Sequence, residues 1–168
     1  AGYFNQTFRP VFKRPEPRLN ETAIVPGIDG QKMSKSYGNI IELFGEAKAM
    51  KKKIMAIKTD STPVEQPKHP ETCNVFALLK LLAEPAELAQ WEQRYRAGGM
   101  GYGEAKKRLV ELYEERFGSR REIRAQWLAR PDDVEDILRG GARRARAVAE
   151  EVMAEVRDAC GIVRAATL

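Results

Sequence analysis

The residues best suited to chemistry in this 168-residue chain are Lys32-Met33-Ser34-Lys35-Ser36. They follow Pro26-Gly27-Ile28-Asp29-Gly30, whose two glycines and Asp-Gly pair favour a mobile turn able to adopt positive φ angles. Two ammonium groups three positions apart on a tight loop can converge on one phosphate-bearing anion, while Ser34, Ser36 and backbone N–H groups add neutral donors. With positions taken as independent, this pentapeptide would arise by chance in on the order of one in 10⁴ chains of such length. The plain alternative is a basic surface loop with no ligand.

Other candidates are weaker. His69 stands between Lys68 and Pro70 with no partner at motif spacing, which reads as a solvated loop histidine. Cys73 and Cys160 are far apart, without further Cys or His at ligand spacing, so neither a zinc site nor a disulfide framework is supported and a reducing cytoplasm suits them. The net charge of +5 fits a polyanionic partner, although 24 acidic residues interleave with 29 basic ones. Arg94, Arg96, Lys106, Lys107, Arg108, Arg120, Arg121, Arg124, Arg143, Arg144 and Arg146 form clusters that could neutralise RNA phosphates. Each also has Asp or Glu near helical spacing, so ordinary solvated pairs are an equal reading.

The elements that must position these groups follow from periodicity and punctuation. Composition is that of an ordinary globular protein, and no apolar run approaches the ~18 residues of a membrane span. An aromatic-rich start predicts a short helix ending before Pro10, Pro15 and Pro17, and Ala23-Ile24-Val25 reads as a short strand. Ala47, Met50, Ile54 and Ile57 predict a helix over about 46–58 with a lysine-rich outer face. Three prolines between Asp60 and Pro70 make a linker, so the chain divides into 1–60 and 61–168.

Beyond the linker the pattern is helical. Val75, Leu78, Leu79 and Leu82 form one stripe, and Leu88, Trp91 and Tyr95 another after Pro85. Four glycines in 97–103 break the chain; a long amphipathic region follows, with a bend expected near Gly118-Ser119. A last helix starts at Pro131, with a kink expected at Gly140-Gly141. Trp91 and Trp127 occupy apolar positions and are expected in the core, whereas Tyr102, near the glycine loop, is a candidate to stack on an RNA base.

The pentapeptide resembles the KMSKS signature of class I aminoacyl-tRNA synthetases, and the chain around it is similar to bacterial tryptophanyl-tRNA synthetases. The resemblance includes Phe12 to Leu19, Val25-Pro26-Gly27-Ile28-Asp29-Gly30, Ile57-Lys58-Thr59-Asp60-Ser61, Arg96-Ala97-Gly98-Gly99-Met100-Gly101-Tyr102 and Gly140-Gly141-Ala142-Arg143-Arg144-Ala145. It implies a mainly α fold: residues 1–60 as the carboxy-terminal remnant of a Rossmann-like α/β catalytic domain, and 61–168 as a helical anticodon-binding domain. It also implies an aminoacyl-tRNA ligase that activates tryptophan with ATP and Mg²⁺ and charges tRNA(Trp), in a cytoplasmic homodimer. On that basis Lys35 contacts the transition state and Lys32 the phosphates, with Ser34 and Ser36 as further donors. Met33 packs by the adenine, and Ile24 or Val25 offers backbone contact to the base.

The HIGH-like signature and the tryptophan pocket of the resembling family are not found in this sequence, and the opening residues lack an initiator Met and a signal-peptide pattern. The expectation is therefore of half an active site, inactive alone. The competing readings are a helical RNA-binding or partner-binding module without catalysis, and another class I synthetase such as a tyrosyl enzyme.

Overall fold

The computed structural model describes residues 1–19 and 24–162. Among them are six α-helices: α1 (Gly2–Thr7), α2 (Ala47–Met55), α3 (Asn74–Leu82), α4 (Pro85–Ala97), α5 (Tyr102–Leu128) and α6 (Pro131–Ala159). The mainly helical expectation is met. Of the expected strand, Ala23 lies outside the described residues, and Ile24 and Val25 belong to no strand; the described residues hold only an isolated antiparallel bridge between Pro26 and Lys32. Two β-branched residues with no neighbouring strand have no ladder to join.

The chain forms two compact units, Leu19–Gln126 and Ala1–Arg18 with Trp127–Leu168. In the larger one, α3 buries Val75, Phe76, Leu78 and Leu79, α4 buries Trp91 and Tyr95, and α5 buries Ala105, Leu109, Leu112 and Tyr113. These are the i, i+3, i+4 and i+7 positions of amphipathic helices, and each large side chain so buried contributes about 1.5–3 kcal/mol. α2 adds Met50 and Ile54, and its carboxy end is fixed by Lys106, whose ammonium donates to the carbonyls of Met55 (3.1 Å) and Ile57 (2.7 Å). A cation is well placed at the negative end of a helix. Burial nevertheless pulls this ammonium below the usual lysine pKa.

The proline-rich stretch is knotted around a buried charge. Lys68 is 2% exposed, and its ammonium donates to the carbonyls of Pro63 (2.9 Å), Gln66 (3.2 Å) and Val64 (3.4 Å) while lying 5.4 Å from the Tyr102 ring centroid. An ammonium out of water requires such a cage of acceptors. Gly98 closes the knot at φ +78°; a Cβ there would stand 2.6 Å from the Glu65 carbonyl oxygen.

Neither glycine site interrupts its helix: α5 passes through Gly118-Ser119 and α6 through Gly140-Gly141. A glycine costs a helix about 1 kcal/mol, less than good flanking residues return, and the Glu114–Arg121 ion pair spans the first site. In the smaller unit, Phe4 packs on Phe8 and Phe12 with centroids 4.9 and 5.1 Å apart, and Arg9 pairs with Asp158 at 2.6 Å. α6 begins with Pro131 and the acidic pair Asp132 and Asp133, as its sequence predicts, and contributes no buried residue. Trp127 departs from its expected core position: it is 38% exposed, because α5 buries nothing beyond Tyr113, and the Arg130 guanidinium lies 4.8 Å from its ring centroid.

Candidate functional site

The lysine loop is built on a buried amide. Asn39, 2% exposed, donates from Nδ2 to Asp29 Oδ1 (2.8 Å) and to the Lys32 carbonyl (3.2 Å), and its Oδ1 accepts the Ser34 N–H (2.8 Å). Asp29 Oδ1 also accepts the Gln31 N–H (3.0 Å), closing an Asx turn. The hydrogen bond from Asn39 is the main cause holding the Asp29 carboxyl below its ordinary pKa. Backbone bonds complete the clamp: Gly27 N–H to Gln31 (2.7 Å), Ile28 N–H to Asn39 (3.0 Å) and Met33 N–H to Val25 (2.9 Å).

Glycine is required at Gly27 by space, not by φ. A Cβ there would stand 2.5 Å from the Asn39 amide. Gly30 takes φ +86° and passes over Asn74, whose Nδ2 donates to the Lys58 carbonyl (3.0 Å), so the loop rests on the start of α3.

Above this base, Lys35–Tyr37 forms a 3₁₀ turn ended by Gly38 at φ +65°. Lys32, Lys35 and Ser36 are exposed, and Met33 and Ser34 half-buried. Neither lysine ammonium enters an ion pair or hydrogen bond among the described residues. Lys35 borders an open groove of ≈ 660 Å³ together with Met33, Ile40, Glu42, Phe44 and Arg124. Ile24 is exposed. Val25 has its carbonyl taken by Met33, and its side chain lines a separate apolar cavity of ≈ 460 Å³. The clamp thus brings Lys32 to Ser36 together, while Ile24 and Val25 form its upstream edge.

The basic clusters divide sharply. Arg108 is held by Glu87 (2.6 Å), Glu115 (2.8 Å) and Glu111 (3.0 Å), Arg94 pairs with Glu104, Arg96 with Glu71 and Glu92, and Arg121 with Glu114. Lys106 serves α2. Lys107, Arg120, Arg124, Arg143, Arg144 and Arg146 have no ion pair among the described residues. Tyr102 is engaged as well: its hydroxyl donates to Asp60 (2.8 Å) and its ring meets Tyr95 edge-on at 6.1 Å. Burial, then the Asp60 contact, push its phenol up to about 12.

Asn39 and its contact with Asp29 organise the loop in a way that the sequence alone does not disclose. Their signal was an amide and a carboxylate bracketing the motif at a separation of ten residues, which only the folded loop brings into contact.

Comparison with known proteins bears on the same residues. Positions 1–118 match the family model described as tRNA synthetases class I (W and Y). The tryptophan–tRNA ligase of Rhodopirellula baltica is 48% identical over 163 residues, covering 96% of this chain and 51% of that protein. The ligase of Fusobacterium nucleatum is 42% identical, covering 97% and 50%. The crystal structure of tryptophanyl-tRNA synthetase from Campylobacter jejuni complexed with ADP and tryptophan superposes with a TM-score of 0.74 at 41% identity, covering 96% of this chain and 51% of that one. The chain spans about half the length of the curated relatives it matches. It belongs to the class I tRNA synthetases of the tryptophan and tyrosine group, and these relatives place its likeness with the tryptophan enzymes.

Proposed function

We propose that this chain supplies the ATP-phosphate loop and the tRNA-contacting helices of a tryptophan–tRNA ligase. The observation that carries the reading is a pair of exposed ammonium groups, Lys32 and Lys35, without partners among the described residues, on a loop whose base is clamped by Asn39. In the reaction the tryptophan carboxylate attacks the α-phosphorus of ATP and pyrophosphate departs, so negative charge grows on the leaving group. Such catalysis is mostly positioning and charge stabilisation. Lys32 binds the phosphates of the ground state and Lys35 meets the charge of the transition state. The Ser34 and Ser36 hydroxyls add donors, Met33 packs beside the adenine, and the backbone of Ile24 or Val25 contacts its edge. With the Val25 carbonyl already accepting from Met33, Ile24 is the better placed of the two.

The described residues contain no cluster of three His, Cys, Asp or Glu side chains able to hold a metal ion. The ammonium groups of Lys32 and Lys35 face phosphate oxygens and not a metal, so a magnesium ion would travel with ATP, held by its phosphate oxygens. Residues 1–60 complete the catalytic domain and 61–168 form the helical domain that meets the anticodon end of tRNA(Trp). The tryptophan pocket lies mainly on the complementary half, in a cytoplasmic homodimer.

The test joins this chain to the complementary half of a relative and measures tryptophan-dependent pyrophosphate exchange. Lys35→Gln should lower the rate about 10²–10³-fold, as removal of one oxyanion-stabilising group does elsewhere. The 168-residue chain by itself should give none. Exchange by the isolated chain, or a variant as fast as the parent, would overturn the assignment.

A further inference from the structure

The groove beside the loop has a second cationic wall that the KMSKS motif does not include. Lys35 borders it from the loop and Arg124 from α5, and both side chains are exposed and enter no ion pair among the described residues. On α5, Arg121, one turn earlier, is held by Glu114 and Arg108 by three carboxylates; Arg124 shares its freedom from ion pairs with Lys107 and Arg120, but of these three it is the one that borders the groove. The one carboxylate on the groove wall, Glu42, already faces Lys53 at 3.8 Å. Met33, Ile40 and Phe44 make up much of the remainder and supply no competing charge. The mouth therefore carries two positive groups, neither of them paired with the groove's carboxylate, an arrangement that favours a multiply charged anion.

We propose that Arg124 is a further phosphate-binding residue, engaging the same polyphosphate as Lys35, so that the tail of the nucleotide and the departing pyrophosphate are held between the loop and α5. This rests on the reading of the loop given above. The two cations differ usefully. Lys35 is a point charge on a short turn, whereas Arg124 presents a planar fork from a rigid helix and can take two phosphate oxygens at once.

Titration calorimetry of the 168-residue chain with inorganic pyrophosphate at low salt tests the idea, with far-UV circular dichroism as the check that each variant stays helical. Arg124→Gln and Lys35→Gln should each weaken binding about tenfold, the size of one charge-assisted contact, and Arg124→Lys should fall between them and the parent. ATP should lose affinity by the same factor, while orthophosphate, with less charge to share between the two cations, should bind weakly throughout. Arg139→Gln, in α6 and paired with Glu135, serves as a control for net charge and should change nothing.

If Lys35→Gln weakens binding and Arg124→Gln does not, the proposal is overturned and the loop assignment stands. If only Arg124→Gln matters, the two residues do not share a ligand and the loop assignment suffers too. A loss in Arg139→Gln equal to that in Arg124→Gln would reduce the effect to net charge and overturn the proposal. So would absence of pyrophosphate binding by the parent chain, whereas the exchange assay judges the loop separately.

Discussion

Asn39 governs the loop through a single carboxamide, since three of its hydrogen bonds join Asp29, Lys32 and Ser34. Asn39→Ala would leave the Ser34 N–H and the Lys32 carbonyl without that partner, at a cost of about 1–3 kcal/mol. Urea denaturation should register the loss, and amide exchange at Ser34 should accelerate; an unchanged midpoint would mean that water replaces the amide. The same contact sets a pH dependence. Because the folded Asp29 pKa is depressed, its stabilising contribution is complete above the ordinary carboxylate value and is lost only as pH falls through the lower folded value. An NMR titration should place the Asp29 midpoint below that of a free aspartate and return it upward in Asn39→Ala; a midpoint at the ordinary value would sink this account. The lysines were legible in sequence because their spacing is a motif. Asn39 was not, because its meaning lies in partners five to ten positions away across a turn.

Helices were read well where apolar stripes and prolines speak together, as at Val75 to Leu79, Pro85 and Pro131. The glycines within α5 and α6 interrupt neither helix because their cost is local and small, while the burial of Leu109, Leu112 and Tyr113 anchors the first half of α5. The error came at Ile24-Val25, where β-propensity was real but pairing was not available. The continuity of α5 and α6 makes its own prediction. A Cβ at Gly118 would meet only flexible side-chain ends, Glu114 Oε2 at 3.3 Å and Arg121 at 3.8 Å, and one at Gly141 would meet nothing within 4 Å. Gly118→Ala and Gly141→Ala should each stabilise the chain by about 0.5–1 kcal/mol. Destabilisation of either variant in thermal or urea unfolding would show that the glycine bends its helix.

At the scale of the molecule, a net charge of +5 says little until each cation is assigned a partner. Arg108 finds Glu87 across 21 positions and Arg96 finds Glu71 across 25, pairings that no sequence spacing reveals. Affinity for tRNA should therefore rest on the arginines left over. Replacing Arg143 and Arg144 together by Gln should reduce the slope of log affinity against log salt by about two, whereas replacing Arg108 should chiefly lower stability. A slope unchanged by the double variant would move the RNA surface elsewhere. Lys68 gives the folded chain a chemical signature of another kind. An amine-acylating reagent should mark exposed Lys32 and Lys35 within its first exposure, yet it reaches the caged Lys68 only in molecules whose linker has come apart. Peptide mass spectrometry of a labelling time course would then use that one amine as a clock for linker opening.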